Sequence, residues 1–346
     1  MFQYIINKIF YGFLTLFGVV TVIFFLFNVL PGDPARMMLD QREDTEQLEN
    51  IRKKYGFDKP IFTQYLYYLN DLSPVSFHSN KSKDYTYLQP GKYNEAKLVS
   101  LGNTTVVLKW PYLRESFTKQ GKKVSQVLSE TLPNTFVLAV SAIIIAMLLG
   151  IALGIVSALF KDKWLDKTIQ VLSTFGMSIP SFFSAILFAW FFGYLLHDFT
   201  NLEMTGSLYE LDDFGEAMHI KWKNLILPAV VLGIRPLAVV IQLMRNSLLE
   251  VFNQDYIRTA RAKGLSEFQI IKKHAVKNAL NPVVTAISGW FASMLAGAVF
   301  VEYIFGWNGL GKEIVNALNT LDLPVIMGSV LVIAVMFIII NIFVDL

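Results

Sequence analysis

Long apolar runs punctuate this chain: Ile9 to Leu30, Pro133 to Phe160, Thr168 to Leu196, Leu225 to Leu249, Pro282 to Val301 and Val325 to Phe343. A helix rising about 1.5 Å per residue needs about 20 apolar residues to cross a hydrocarbon core of about 30 Å. Each run therefore predicts a membrane-crossing helix, and together they predict an all-α integral membrane protein with about six spans. The first run is longer than the apolar region of a signal peptide and leads into Pro31-Gly32-Asp33-Pro34 rather than a small-residue cleavage site, so it reads as a retained span over residues 1–30.

Between the first two spans, residues 31–132 carry a different pattern. Leu48, Ile51 and Tyr55 recur at helical spacing before Gly56, and Pro60 opens a second short helix on which Phe62, Tyr65, Leu66 and Leu69 share a face. Both predict surface helices. From about 72 to 110 the periodicity shortens, and the runs Lys97 to Leu101 and Thr104 to Leu108 flank Gly102-Asn103, which predicts a hairpin within a small β-rich insertion.

Charge in the loops sets an orientation, because Lys and Arg in short loops stay on the cytoplasmic side. Lys8, then Lys161, Lys163 and Lys167, then Arg245 and the basic residues of 250–281 alternate with acidic loops holding Asp198, Glu203, Glu210, Asp212, Asp213 and Glu216, and later Glu302, Glu313 and Asp322. This predicts a cytoplasmic N-terminus, an extracytoplasmic segment 31–132 and a membrane core 133–346. Within the spans, Ala146, Gly150, Gly154 and Ala158, and again Gly289, Ser293 and Gly297, repeat every four residues, which lets helix backbones approach in lipid. Packing inside one subunit is the first expectation for both stripes, with a seam between subunits as the alternative. Arg235 is the one charge deep in a span. With Pro236 behind it, it either pins a kink by bonding freed carbonyls or lines a polar path.

Composition narrows the function. Hydrophobic residues are 54% and charged residues 16% of the chain, against roughly 25% charged in an ordinary soluble domain. With no cysteine, thiolate metal sites, disulfides and cysteine nucleophiles are excluded. The formal net charge of +3 gives no reason to expect a nucleic-acid partner. The four histidines are scattered over predicted loops, and every acid falls at or beyond a span end, which argues against an intramembrane metalloenzyme and against a proton-coupled secondary transporter. No phosphate-binding Gly-Lys-Ser/Thr loop is present, so no cofactor or ATP site is expected.

Segment 250–281 carries the most specific pattern. Asp255-Tyr-Ile-Arg-Thr-Ala-Arg-Ala-Lys-Gly264 reads as a helix ended by a left-handed glycine, and Ser266 with Gln269 as a capping box opening the next helix, whose Phe268, Ile271, Ala275 and Ala279 line one face. That second helix is expected at the membrane surface, with Lys272, Lys273 and Lys277 toward lipid phosphates.

The segment resembles the cytoplasmic coupling loop of ABC importer permeases, in the form found in the dipeptide, oligopeptide and nickel transport group. Arg258-Thr259-Ala260 stands where the general motif has Glu-Ala-Ala, and Gly264 and Pro282 are in place. Leu30-Pro-Gly-Asp-Pro-Ala35, Ser178-Ile-Pro-Ser-Phe182 and Phe305-Gly-Trp-Asn-Gly-Leu-Gly311 are similar to further motifs of the group, those at the first span placing the chain with the first of two paired permeases. Residues 72–110 have no counterpart in that pattern, and the chain stops at Asp345-Leu346 where relatives run into a short tail with Pro and Arg. The resemblance implies a non-enzymatic transport subunit of the bacterial cytoplasmic (inner) membrane, a peptide permease surrounded by membrane lipid. It implies as partners a second permease, two ATPase subunits and an extracytoplasmic substrate-binding protein. It makes Asp255, Arg258, Thr259, Ala260, Arg261, Ala262 and Gly264 the ATPase-coupling residues and Arg235 the candidate on the translocation path. A secondary transporter or channel not driven by ATP is the alternative.

Overall fold

The computed structural model describes residues 2–29, 35, 45–82, 84–89, 91–93, 95–212 and 217–345. Leu30 to Pro34 of the first motif, and Asp213 and Glu216 of the acidic loop, lie outside the described residues. The chain divides into two units, residues 1–130 with 316–334, and residues 131–315 with 335–346.

The first unit begins with α1 (Phe2–Val29), followed by α2 (Thr45–Tyr55) and α3 (Ile61–Leu72). Gly56, at φ +71°, supplies the left-handed residue that ends α2. On α3 the buried positions are Tyr65, Tyr68 and Asp71, and Phe62 and Leu66 of the predicted apolar face are exposed. The reason is the neighbour. Phe24 of α1 takes the Tyr65 and Tyr68 rings at 5.3 and 5.5 Å, and the Tyr65 hydroxyl lies 2.7 Å from Thr21 Oγ1. Strands β1 (Val75–Ser79), β2 (Glu95–Leu101) and β3 (Thr104–Lys109) form an antiparallel sheet in the order β1-β3-β2, with Leu101 opposite Thr104 across the Gly102-Asn103 turn. Arg114 binds the Asp71 carboxylate at 2.9 Å, and Lys109 Nζ donates to the Asp71 carbonyl. Burial lowers the Lys109 ammonium to about 8, although Asp71 opposes the shift. Asp322 is buried and accepts from the Phe117 and Thr118 amides at 3.0 and 3.2 Å, fastening segment 116–118.

The second unit contains the packed bundle. The remaining helices are α4 (Val124–Leu159), α5 (Trp164–Ser178), α6 (Ser181–Phe188, continuing as a wider π turn over Ala189–Leu195), the single turn α7 (His197–Thr200), α8 (Lys223–Val251), α9 (Asp255–Ala262), α10 (Glu267–Ile270), α11 (Val276–Gly297), α12 (Val299–Phe305), α13 (Leu310–Asn319) and α14 (Leu323–Asp345), of which residues 124–130, 316–319 and 323–334 belong to the first unit. A short hairpin of β4 (Tyr209–Leu211) and β5 (Met218–Ile220) precedes α8. Among the described residues, four helices (α1, α4, α8 and α14) are long and apolar enough to cross a membrane, and the count reaches six if each of two bent pairs is one span.

Two expectations change here. The third span is not one helix over Thr168–Leu196: α5 and α6 meet at 108° across Ile179-Pro180. Proline excludes the residue before it from helical backbone, and Ile179 is extended at φ −78°, ψ 129°. The helix opened by Ser266 does not stop short of the fifth span but runs into it through a π turn at Ile271–Ala275, with Pro282 inside α11.

The first small-residue stripe packs inside this chain. A Cβ on Gly150 would stand 2.6 Å from Val240 Cγ1, and one on Gly154 would stand 2.7 Å from Met244 Cβ and 2.9 Å from the Ile241 carbonyl oxygen, so α4 and α8 touch through bare backbone. In the second stripe a Cβ on Gly289 would meet nothing within 4 Å and Ser293 is exposed, while the surroundings of Gly297 lie outside what is described.

Candidate functional site

α9 is a helix of eight residues whose two buried positions, Ile257 and Ala260, stand about one helical turn apart. Among the expected coupling residues, Asp255, Arg258, Thr259, Arg261 and Ala262 are exposed, whereas Ala260 faces the chain's own core and is not available to a partner. The helix is fixed from both ends. Asn278 of α11 donates to the Tyr256 hydroxyl at 3.1 Å, and Arg261 forks onto Glu267 at 3.0 and 3.4 Å across the turn. Gly264 in that turn has φ +79°, and the Leu265 amide returns to the Ala260 carbonyl. Ser266 and Gln269 make both halves of the capping box.

The buried stripe of the following helix is Ile270, Ala275 and Ala279, with Phe268 exposed, so the face expected over Phe268 and Ile271 is corrected. A π turn adds one residue to the repeat, so the buried positions step by five from Ile270 to Ala275 before returning to four.

Six residues before the end of α8, Arg245 meets Asp166 of α5 in a two-pronged ion pair, with Nε to Oδ1 and Nη2 to Oδ2 both at 2.7 Å. The same carboxylate accepts from Ser157 Oγ at 2.5 Å and from the Asp162 amide at 2.9 Å, which ties α4, α5 and α8 together just ahead of α9. Sequence reasoning missed Asp166 because it stands among Lys161, Lys163 and Lys167 and was not separated from that loop. Its signal is a lone acid in the first turn of a helix that follows a basic loop.

Glu302 was also missed. It is fully buried, accepts from Thr135 Oγ1 at 2.7 Å and from the Gly311 and Lys312 amides at 2.6 and 3.2 Å, and so caps the start of α13. A Cβ on Gly309 would lie 2.4 Å from this carboxylate, and one on Gly311 would lie 2.4 Å from Val299 Cα. Gly309 and Gly311 are thus required by a buried acid and the backbone beside it, and Trp307 is buried with its indole N–H on the Asn134 carbonyl at 3.0 Å.

Arg235 lies on α8 well away from α9. It is exposed in the single chain and borders a cavity with Gly176, Ile179, Ser181, Trp290 and Ser293, at the break between α5 and α6. Among the described residues it has no hydrogen bond or ion pair, and α8 continues through Pro236. The kink-pinning role therefore has no carbonyl contact to act through.

Residues 150–346 match the family described as "binding-protein-dependent transport system inner membrane component", and residues 1–82 match its N-terminal companion. The dipeptide transport system permease protein DppB of Alkalihalophilus pseudofirmus is 31% identical over 96% of this chain and 92% of its own length. A protein of Escherichia coli strain K12 described as the D,D-dipeptide transport system permease DdpB is 32% identical over 95% of this chain and 90% of its own. Among solved structures, a chain of the inward-facing MetNI methionine ABC transporter is similar in fold, with a TM-score of 0.50 at 15% identity, covering 64% of this chain and 94% of that one.

Proposed function

The chain belongs to the permease family of binding-protein-dependent ABC importers, and from that premise we propose that it forms half of a peptide translocation path and receives the work of ATP hydrolysis through α9. The observation that carries the coupling role is the outward row Asp255, Arg258, Thr259, Arg261 and Ala262 on a short helix braced by Asn278 and Glu267. Small residues and a few charges on a braced helix suit insertion into a groove of an ATPase subunit. Displacement of α9 would reach α8, α5 and α4 through Arg245 and Asp166, a rigid-body switch between inward and outward access. Two ATPase subunits, a second permease and an extracytoplasmic binding protein complete the machine in this reading. Peptide as cargo rests on the names of the relatives. ATPase subunits should copurify with the tagged chain, and an α9 carrying Thr259→Trp should lose them. Retention of stoichiometric ATPase by that variant would refute α9 as the docking element.

Arg235 is the candidate contact for a peptide carboxylate or backbone carbonyl, since it carries five donors, lines a cavity and has no hydrogen bond or ion pair among the described residues. Arg235→Gln should leave assembly and basal ATPase activity unchanged and lower uptake of peptides with a free carboxylate relative to their amidated forms. Equal uptake of both forms at the wild-type rate would remove Arg235 from the path.

The orientation read from loop charge places α9 and the α4–α5 loop in the cytoplasm and the sheet of the first unit outside. Single cysteines at Lys163 and Lys273 in this cysteine-free chain should resist an impermeant thiol reagent in intact cells, and cysteines at Lys81 and His219 should react. The reverse pattern would invert the assignment.

A further inference from the structure

The sheet of the first unit is built inside out. Ser76, His78, Thr105 and Lys109 are buried, and their polar groups bond one another or nearby chain: Ser76 Oγ lies 2.9 Å from His78 Nε2, His78 Nδ1 lies 3.2 Å from the Thr86 carbonyl, and Thr105 Oγ1 donates to Asn80 at 2.7 Å. The opposite face carries Val75, Phe77, Val99, Leu101 and Leu108, brought to one side by the pairings Val75 with Leu108, Phe77 with Val106 and Val99 with Val106. Leu101 is 69% exposed, and Trp110, two residues beyond Leu108, is 80% exposed. An antiparallel sheet in water keeps its polar face outward, and a one-residue slip of register would restore that order. The inner hydrogen bonds oppose such a slip, so the apolar face is a fixed feature of the fold.

We infer that this face rests on the lipid bilayer, as an interfacial anchor beside the first membrane helix. Tyr65 and Tyr68 of α3 pack on Phe24, and Tyr65 reaches Thr21. Those α1 positions are five to eight residues short of Val29, roughly 8–12 Å along the helix axis, so α3 lies at the depth of the membrane boundary. The sheet is bound to the end of that same helix: the Asn70 side chain bonds both the amide and the carbonyl of Phe77, at 2.8 and 3.0 Å. The sheet is therefore held beside a helix that lies at the membrane boundary. Its composition also fits. A tryptophan edging an aliphatic and aromatic face is characteristic of the membrane–water interface.

The test uses the full chain with its copurifying subunits in vesicles of phosphatidylethanolamine and phosphatidylglycerol. Nitroxide labels on single cysteines at Phe77, Leu101 and Leu108, with Gln120 as an exposed control, are compared for collision with oxygen, which concentrates in lipid, and with a water-soluble nickel chelate. The ratio of oxygen to nickel accessibility should be severalfold higher at the three sheet sites than at Gln120. A ratio equal to the control would show a face open to water, and exclusion of both reagents would show a protein partner; either result overturns the inference.

Discussion

Asp166→Ala is expected to destabilise the folded chain by about 3–5 kcal/mol, the range for removing one partner of a buried ion pair. The carboxylate has only 4% of its side-chain surface exposed and Arg245 only 18%, so water cannot replace what is lost. Four donors converge on Asp166, from Arg245 twice, from Ser157 and from the Asp162 amide, and all lose their acceptor together. Asp166→Asn should cost nearly as much, because its amide would point a donor at donors. The paired change Asp166→Leu with Arg245→Met removes both charges and should recover most of the loss. Thermal unfolding in detergent, followed by size-exclusion chromatography with fluorescence, separates these cases. A wild-type melting curve for Asp166→Ala would mean that the clamp adds no stability.

The membrane architecture was legible because its signal is coarse. Twenty apolar residues can be counted without knowing any partner, and the Gly102-Asn103 hairpin and the Ser266–Gln269 capping box are equally local, each a matter of a few adjacent residues. Breaks and register shifts inside apolar segments were not legible. Ile179-Pro180 turns the chain by 108° within one uninterrupted hydrophobic run, and hydropathy averages across it. The π turn at Ile271–Ala275 displaced the predicted buried face, since periodicity analysis assumes a constant repeat.

The two buried acids show a different limit. Asp166 and Glu302 each sit at the end of an apolar segment, where an acid is ordinarily a solvated loop residue, and nothing adjacent to either announces burial. The partners come from elsewhere: Arg245 is far along the chain from Asp166, and Thr135 is far from Glu302. For Glu302 a weak signal did exist in Gly309 and Gly311, whose missing side chains make room for the carboxylate and the backbone around it. Within the coupling segment, Asp255, Arg258 and Arg261 are exposed and Ala260 is buried. A small residue suits a partner's groove and the chain's own core equally well, and only the packing of Ile257 beside it decides.

Gly264→Val is expected to abolish transport while the chain remains in the membrane and paired with its partner permease. The strain is purely one of backbone. Gly264 holds φ at +79°, yet a Cβ placed there would meet nothing within 4 Å, so no clash complicates the reading. A left-handed conformation costs an ordinary L-residue roughly 1–2 kcal/mol, and β-branching makes it worse. The turn can escape that cost only by rotating, and rotation separates Arg261 from Glu267 and releases α9 from the capped helix that follows. The bundle core does not pass through this exposed turn, so folding should survive where coupling does not. Gly264→Asn supplies the control, because asparagine enters the left-handed region readily and should retain most of the uptake. Reconstituted transport together with ATPase activity reads the outcome. Full uptake by the valine variant would show that the geometry of this turn is irrelevant to coupling. Equal loss in the asparagine and valine variants would place the requirement on the absence of a side chain, as in a tight contact with the ATPase, rather than on the positive φ.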